Sequence, residues 1–169
     1  MAAKPHYFNI VLGEADPPMP EVDVDLTIRD AQPSDAAALA GLMGELGYQT
    51  SEAEMQSRLQ KILPDPHFST FVAVDRGRVR GMIGTIACHS FEHNDLGGRI
   101  LALVVTRESR RSGVARRLIA AAEKDFAQRK ITRVAVDTRF ERKDAHAFYE
   151  SLGYTSNGFR FVKNLPAAN

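Results

Sequence analysis

The residues best suited to chemistry lie between Arg107 and Arg117, where five arginines and one glutamate surround Gly113. If a helix begins at this glycine, its unpaired backbone N–H groups and the positive end of its dipole form a site for phosphate. A glycine lets the anion approach the backbone closely, and guanidinium groups pair bidentately with phosphate oxygens. A tight turn with solvated arginines explains so short a motif about equally well, so the structural context decides between the two.

The flanking sequence predicts a strand, a turn and a helix around Gly113. Residues 100–105 are continuously apolar, as in a strand that is buried on both faces. From Ser112 to Gln128 the pattern is helical, and its apolar positions are Val114, Leu118, Ala122 and Phe126. This context favours a phosphorylated cofactor at the turn.

Other local patterns predict a succession of short elements without an internal repeat. Ser51 and Glu54 have the spacing of a capping box, and Arg76-Gly77 marks the turn of a hairpin. The remaining predictions, in chain order, are a strand at 26–29, a helix at 36–46, a helix that starts at Ser51 and stops at Pro64, strands at 70–74 and 79–88, a polar loop at 89–98, a strand at 134–136, a helix capped by Asp144 and ending near Leu152, and a final strand or hairpin at 154–162.

Two motifs in this order resemble those of the GNAT family of N-acetyltransferases. Residues 110–115 match the family pattern Gln/Arg-x-x-Gly-x-Gly/Ala directly after a strand, and residues 144–154 resemble the segment with a tyrosine on a short helix and a Gly-Phe/Tyr pair. The resemblance extends from Leu26 to about Phe161. It implies an α/β (α+β) fold with a central mixed, mostly antiparallel sheet that is flanked by helices and splayed between its fourth and fifth strands.

The resemblance also implies a cosubstrate, acetyl-CoA, in the gap between those two strands. Its pantetheine would pair with the backbone near Val105, and its pyrophosphate with N–H groups of the turn around Gly113. The cofactor-binding residues implied in this way are Leu103, Val104, Val105, Arg110, Arg111, Ser112, Gly113, Val114, Ala115, Arg116 and Arg142. No metal site is expected.

The family mechanism implies direct transfer of the acetyl group to a primary amine. Tyr149 would lie near the sulfur as the general acid, because a phenol of pKa about 10 can protonate the thiolate of a thiol of pKa about 8.5. The backbone N–H of Val105 would stabilise the oxyanion of the tetrahedral intermediate. A packed aromatic side chain is the structural alternative for Tyr149.

The sequence departs from the family pattern at several positions. Arg111 stands where the first glycine of the turn is common, and Arg142 where an asparagine is frequent. Arg142, or Lys143 beside it, is therefore a candidate contact for a cofactor phosphate. Many relatives carry a carboxylate base on or beside the central strand, but residues 101–103 have none. The candidate base is Glu92, and the titratable alternatives are His89, His93 and Asp137.

Composition predicts one cytoplasmic domain. The 169 residues are 44% hydrophobic and 25% charged, as in an ordinary globular protein. The proline-rich stretch 17–20 separates an arm, residues 1–25, from a GNAT domain at 26–165. The single cysteine favours a reducing compartment, and no apolar run approaches the roughly 20 residues of a membrane helix.

The partner is expected to be a small-molecule or peptide amine, with Glu45 and Tyr48 facing it by family analogy. A non-catalytic acyl-CoA-binding module is the alternative, because the strand lacks a carboxylate, although Tyr149 argues against it. Nucleic acid is not expected, because the net charge is +1 and no aromatic residues are interleaved with the arginines. A homodimer is left open.

Overall fold

The computed structural model describes residues 25–165, so the predicted arm lies outside the described residues except for Asp25. Short 3-10 turns at Pro33–Asp35 and Arg107–Ser109 accompany the regular elements. These elements are β1 (Thr27–Asp30), α1 (Ala36–Leu46), α2 (Glu52–Ile62), β2 (Phe68–Asp75), β3 (Arg78–Cys88), β4 (Gly97–Val105), α3 (Val114–Gln128), β5 (Val134–Val136) and α4 (Lys143–Glu150).

The five strands form one sheet in the order β1-β2-β3-β4-β5. The first three pairings are antiparallel, and only β4 and β5 are parallel. The predicted hairpin between β2 and β3 is confirmed, and its turn residues Arg76 and Gly77 have φ values of 46° and 74°. Positive φ at both central residues is the geometry that suits a two-residue hairpin loop. The sheet is thus mixed and mostly antiparallel, as predicted.

The sheet is splayed between β4 and β5. Pairing runs only from Gly98 opposite Val134 to Ile100 opposite Val136. Residues 101–105 of β4 continue without a β5 partner, while residues 102–105 stay paired with β3 on their other edge. The predicted splay is therefore confirmed, and it leaves one backbone edge of β4 open.

Helices cover both faces of the sheet and divide the core into two layers. On one face, Val104 packs in a cluster with Leu39 and Leu42 of α1 and Met55 and Leu59 of α2. On the other face, a second cluster includes Ile83, Ile100 and Val105 of the sheet, Leu118 and Ile119 of α3, and Tyr149 of α4. Adjacent residues at the end of β4 thus face opposite layers, as strand geometry requires.

Two local predictions are wrong. Residues 154–165 form no strand, and Phe159 and Phe161 are 76% and 92% exposed. Strand-forming residues need a paired neighbour and a buried face, and this segment has neither. Asp144 does not cap α4, because Arg142 occupies the N-cap position and Asp144 lies in the first turn. Within the described range, no helix has both the length and the apolar character needed to cross a bilayer.

Candidate active site

The open edge of β4 presents backbone groups to the gap beside β5. The N–H of Thr106 donates to the carbonyl oxygen of Arg80 on β3 at 2.8 Å. Because the direction of backbone polar groups alternates along a strand, those of Val105 and Leu103 point away from β3 and into the gap. The backbone of Val104 faces β3 instead. Of the three predicted strand residues, Leu103 and Val105 are therefore the two that can pair with a ligand in the gap.

The N-terminus of α3 lies just beyond this edge and is uncovered. Gly113 is its N-cap in the left-handed conformation, with φ 83° and no side-chain cap. The first backbone bond of the helix runs from the N–H of Arg117 to the carbonyl of Gly113, at 3.1 Å. Within residues 25–165, the backbone N–H groups of residues 111–116 have no protein acceptor. A Cβ at Gly113 would meet nothing within 4 Å, so there is open space in front of this glycine.

Arg111 adopts a conformation that is uncommon for a residue with a side chain. Its φ is 62°, in the left-handed region. The position that carries glycine in the family pattern therefore needs left-handed backbone here as well. The Ser112 hydroxyl donates to the carbonyl of Ser109 at 2.7 Å, which holds the turn from within.

The guanidinium groups of the other predicted arginines have protein acceptors. Arg110 donates to Glu45 at 3.0 Å and to the carbonyl of Val105 at 3.3 Å. Arg116 donates to the Ser151 hydroxyl at 3.0 Å. Arg142 donates to the carbonyl of Leu46 at 2.7 Å, near the C-terminus of α1, where a cation is favoured by the helix dipole.

The Tyr149 ring lies in the core layer that also contains Val105 and Val114, and the residue is 9% exposed. Its ring packs edge-on against Phe148 and Tyr154, with centroids 5.4 and 5.5 Å away. Burial raises the pKa of the Tyr149 phenol to about 12, an effect that the nearby charge of Arg142 opposes. The phenol therefore stays protonated at neutral pH and can act as a hydrogen-bond donor.

A splayed parallel strand pair beside an uncovered helix N-terminus is the arrangement that the sequence motifs predicted. Residues 37–154 match the Acetyltransferase (GNAT) family, and this range is well over half of the chain. The chain belongs to the GNAT family.

Several acetyltransferases share sequence or fold with the chain. N-alpha-acetyltransferase 30 of Schizosaccharomyces pombe is 33% identical over 91 residues, which are 53% of this chain and 58% of that protein. The chain thus spans less than two thirds of this curated relative. A GNAT family acetyltransferase of Staphylococcus aureus is 26% identical with a TM-score of 0.72, over 84% of this chain and 100% of that one.

A solved complex of AAC(6')-Iy with the bisubstrate analogue CoA-S-monomethyl-acetylneamine shows the same fold. The two chains are 19% identical with a TM-score of 0.74, over 84% of this chain and 99% of the other. At this identity the likeness concerns the fold alone.

The predicted bases of this GNAT chain do not lie beside Val105. Glu92, with His89 and His93, lies in the exposed loop before β4. That loop joins the Gly97 end of β4, and a strand rises about 3.3 Å per residue, so this end is roughly 26 Å from Val105. Asp137 follows β5 and forms ion pairs with Arg99 and Arg160.

Two contacts of the GNAT site were not predicted from the sequence. Glu45 was predicted to face the amine acceptor, but its carboxylate accepts hydrogen bonds from the turn that precedes α3, at the N–H of Arg107 and the guanidinium of Arg110. Ser151 was not singled out, yet it binds Arg116. These partners are 35 to 65 residues apart in the chain, and no local pattern reports contacts over that separation.

Proposed function

We propose that the chain is an N-acetyltransferase that moves the acetyl group of acetyl-CoA directly to a primary amine of a small molecule or peptide. One observation carries the proposal: the unpaired backbone edge of β4 leads directly into the uncovered N–H groups at the start of α3. Such a row of donors and acceptors suits a ligand with amides along its length and phosphates at one end, which is the make-up of coenzyme A.

In this proposal the backbone makes the main cofactor contacts. The pantetheine amides pair with Leu103 and Val105, and the pyrophosphate accepts from N–H groups between Arg111 and Arg116. The open space in front of Gly113 fits this role, since even a methyl group there would meet no neighbour within 4 Å. We assign the phosphate contacts to backbone groups because the side chains of Arg110 and Arg142 already have protein acceptors.

The proposed reaction begins when the neutral amine attacks the thioester carbonyl. The carbonyl oxygen becomes an oxyanion that accepts a hydrogen bond from the backbone N–H of Val105. The C–S bond then breaks, the acetyl group stays on the amine nitrogen, and the sulfur leaves as a thiolate. The Tyr149 hydroxyl donates a hydrogen bond to this thiolate as the negative charge develops.

The raised pKa of Tyr149 limits what this residue can do. Burial places the pKa of the phenol further above that of a thiol, so complete transfer of its proton to the departing thiolate is unfavourable. We therefore assign to Tyr149 a hydrogen bond that stabilises the departing thiolate, with solvent supplying the proton. This role is weaker than the general acid predicted from the sequence.

No described carboxylate beside Val105 is assigned as the base, so the proposed mechanism releases the amine proton to water. The rate then rises with pH as more of the acceptor is neutral. Glu92 stays a sequence-based prediction. The proposed acceptor is a class of compounds, the primary amines, because the named relatives point to different ones. The fission-yeast relative is named for N-alpha-acetylation, and the AAC(6')-Iy complex contains an acetylneamine group. A cytoplasmic location is likewise retained as a prediction.

The alternative is a non-catalytic acyl-CoA-binding module, and the lack of a carboxylate at residues 101–103 favours it. Calorimetry with acetyl-CoA and with free coenzyme A tests the binding that both functions share. A panel of peptide and small-molecule amines, with release of free thiol as the signal, separates them. Acetyl-CoA binding with no thiol release from any amine would favour the binding module, and no binding at millimolar concentration would overturn both.

A further inference from the structure

We propose that Glu45 and Arg110 form a positioning pair that fixes the turn between Val105 and Gly113, the cofactor turn, against α1. Arg110 acts through this pair and not as a ligand of the cofactor phosphates. The inference rests on the proposed function, because it takes the turn after β4 as the pyrophosphate site. It changes the role of a residue that the sequence motif assigns to the cofactor.

Glu45 lies near the C-terminus of α1 and reaches across to the turn. Its Oε2 accepts from the backbone N–H of Arg107 at 3.2 Å and from Nη2 of Arg110 at 3.0 Å. Arg107 is the first residue of the 3-10 turn, so its N–H has no acceptor within the turn itself. One carboxylate thus satisfies the start of the turn and holds its next arginine.

Arg110 extends this connection to the central strand. Its Nε donates to the carbonyl of Val105 at 3.3 Å, on the open edge of β4. With Nε and one hydrogen of Nη2 engaged, the edge of the guanidinium that carries these two atoms is occupied, which leaves Nη1 and the second Nη2 hydrogen as its remaining donors. Arg110 therefore joins the end of β4 to the end of α1, and the first part of the turn, from Val105 to Arg110, is held by both elements.

The pair contributes by fixing the geometry of the turn more than by electrostatic stabilisation of the fold. The side chains of Glu45 and Arg110 are 28% and 51% exposed, and exposed ion pairs contribute little to stability by charge alone. The hydrogen bond to the Arg107 N–H is different, because it orders backbone that must present its own N–H groups to a ligand. Loss of the pair should therefore affect the cofactor site more than the fold.

Direct phosphate binding by Arg110 and a positioning role predict opposite changes in coenzyme A affinity for one variant. Glu45→Gln would free the guanidinium and remove a negative charge near the pyrophosphate, so coenzyme A would bind more tightly. A positioning pair predicts weaker binding, because an amide oxygen is a weaker acceptor than a carboxylate for the Arg107 N–H and the Arg110 guanidinium, and the turn is held less firmly. The sign of this single change distinguishes the two roles.

The experiment is a double-mutant cycle in the full chain, with calorimetry of free coenzyme A. The proteins are the parent, Glu45→Gln, Arg110→Gln and the double variant. The control is Glu52→Gln, which alters a carboxylate on α2 whose one hydrogen-bond donor among residues 25–165 is Gln56 on the same helix. We expect each single variant to bind about 5-fold more weakly, the double variant to be no weaker than either single one, and the control to bind as the parent does.

A second readout does not need the cofactor. Hydrogen exchange of the hydrogen-bonded backbone amides of Arg107, Ser109 and Arg110 should be faster in Glu45→Gln and in Arg110→Gln than in the parent, with exchange in β2 and β3 unchanged. Unaltered or tighter binding by Glu45→Gln, additive losses in the double variant, or unaltered exchange would each overturn the pair. If the parent itself binds no coenzyme A, the proposed function fails, and the exchange measurement still decides whether the pair orders the turn.

Discussion

Replacing Gly113 with glutamate is expected to weaken the binding of coenzyme A strongly while the fold survives. A Cβ at this position would meet no atom within 4 Å, so the new side chain has room. The backbone cost is that of holding an L-residue at φ 83°, about 1–2 kcal/mol. That is a minor part of the 5–15 kcal/mol by which domains are typically stable, so the variant should remain folded.

The loss of binding should come from charge. A carboxylate about 6 Å from a phosphate at an effective dielectric constant near 20 costs about 3 kcal/mol for each pair of unit charges. This repulsion corresponds to roughly 100-fold in the dissociation constant. Gly113→Gln is the matched control, since it brings the same backbone strain and nearly the same bulk without the charge.

Calorimetry of coenzyme A with both variants, at low salt and at about 0.5 M salt, measures this effect. The glutamate variant should bind about 100-fold more weakly than the glutamine variant at low salt, and the gap should narrow as salt screens the charges. Thermal melting of both proteins checks that they are folded to a similar degree. If the two variants bound coenzyme A equally, the pyrophosphate could not lie at the N-terminus of α3.

Three further predictions concern single side chains. Tyr149→Phe should lower kcat about 10- to 100-fold with little change in the acetyl-CoA dissociation constant, because it removes only the hydrogen bond to the leaving thiolate; steady-state rates equal to the parent's would make Tyr149 structural. Arg111→Gly should raise the free energy of unfolding by up to about 1 kcal/mol by relieving the strain of φ 62°, and a lower melting temperature would contradict this. Arg29 donates two hydrogen bonds to Asp35 and holds the pKa of that buried carboxyl below its usual range. The ionised carboxylate therefore stabilises the fold above about pH 4, and this contribution is lost as pH falls through the folded-state pKa. Urea unfolding should therefore show Asp35→Asn less stable than the parent at pH 7 by a margin that shrinks below pH 4, and equal stability at pH 7 would refute the assignment.

The elements with strong local signals could be predicted from the sequence. Ser51 and Glu54 form both hydrogen bonds of the predicted capping box at the start of α2. The apolar positions of α3, including Leu118 and Phe126, are buried as their spacing indicates. These features depend on residues within one or two turns of each other, and a single sequence reports such relations directly.

The rest depended on contacts between distant parts of the chain. Nothing near Glu45 indicates that its carboxylate binds Arg110, because the partners are separated by 65 residues. The segment 154–162 has strand-forming residues, yet whether it pairs is decided by its neighbours and not by its own composition. For the same reason the motif could name Arg142 as a phosphate contact but could not reveal that the carbonyl of Leu46 accepts from it.

The direction of the Val105 backbone N–H depends on an irregularity in β4 that the apolar run 100–105 does not reveal. The N–H of Gly98 donates toward β5, to the carbonyl of Arg133, whereas the N–H of Thr106 donates toward β3, although strict alternation would send both the same way. The pairing of β3 with β4 shifts register between Gly84 and Thr85, which leaves Leu101 as the extra residue of a β-bulge. The side-chain positions support the bulge. Ile100 and Leu103 both pack in the core layer that contains α3, although residues three apart on a regular strand would face opposite sides of the sheet. The bulge thus lets β4 pair with β5 at its start and still turn the N–H of Val105, and not that of Val104, into the open gap where the thioester is proposed to react.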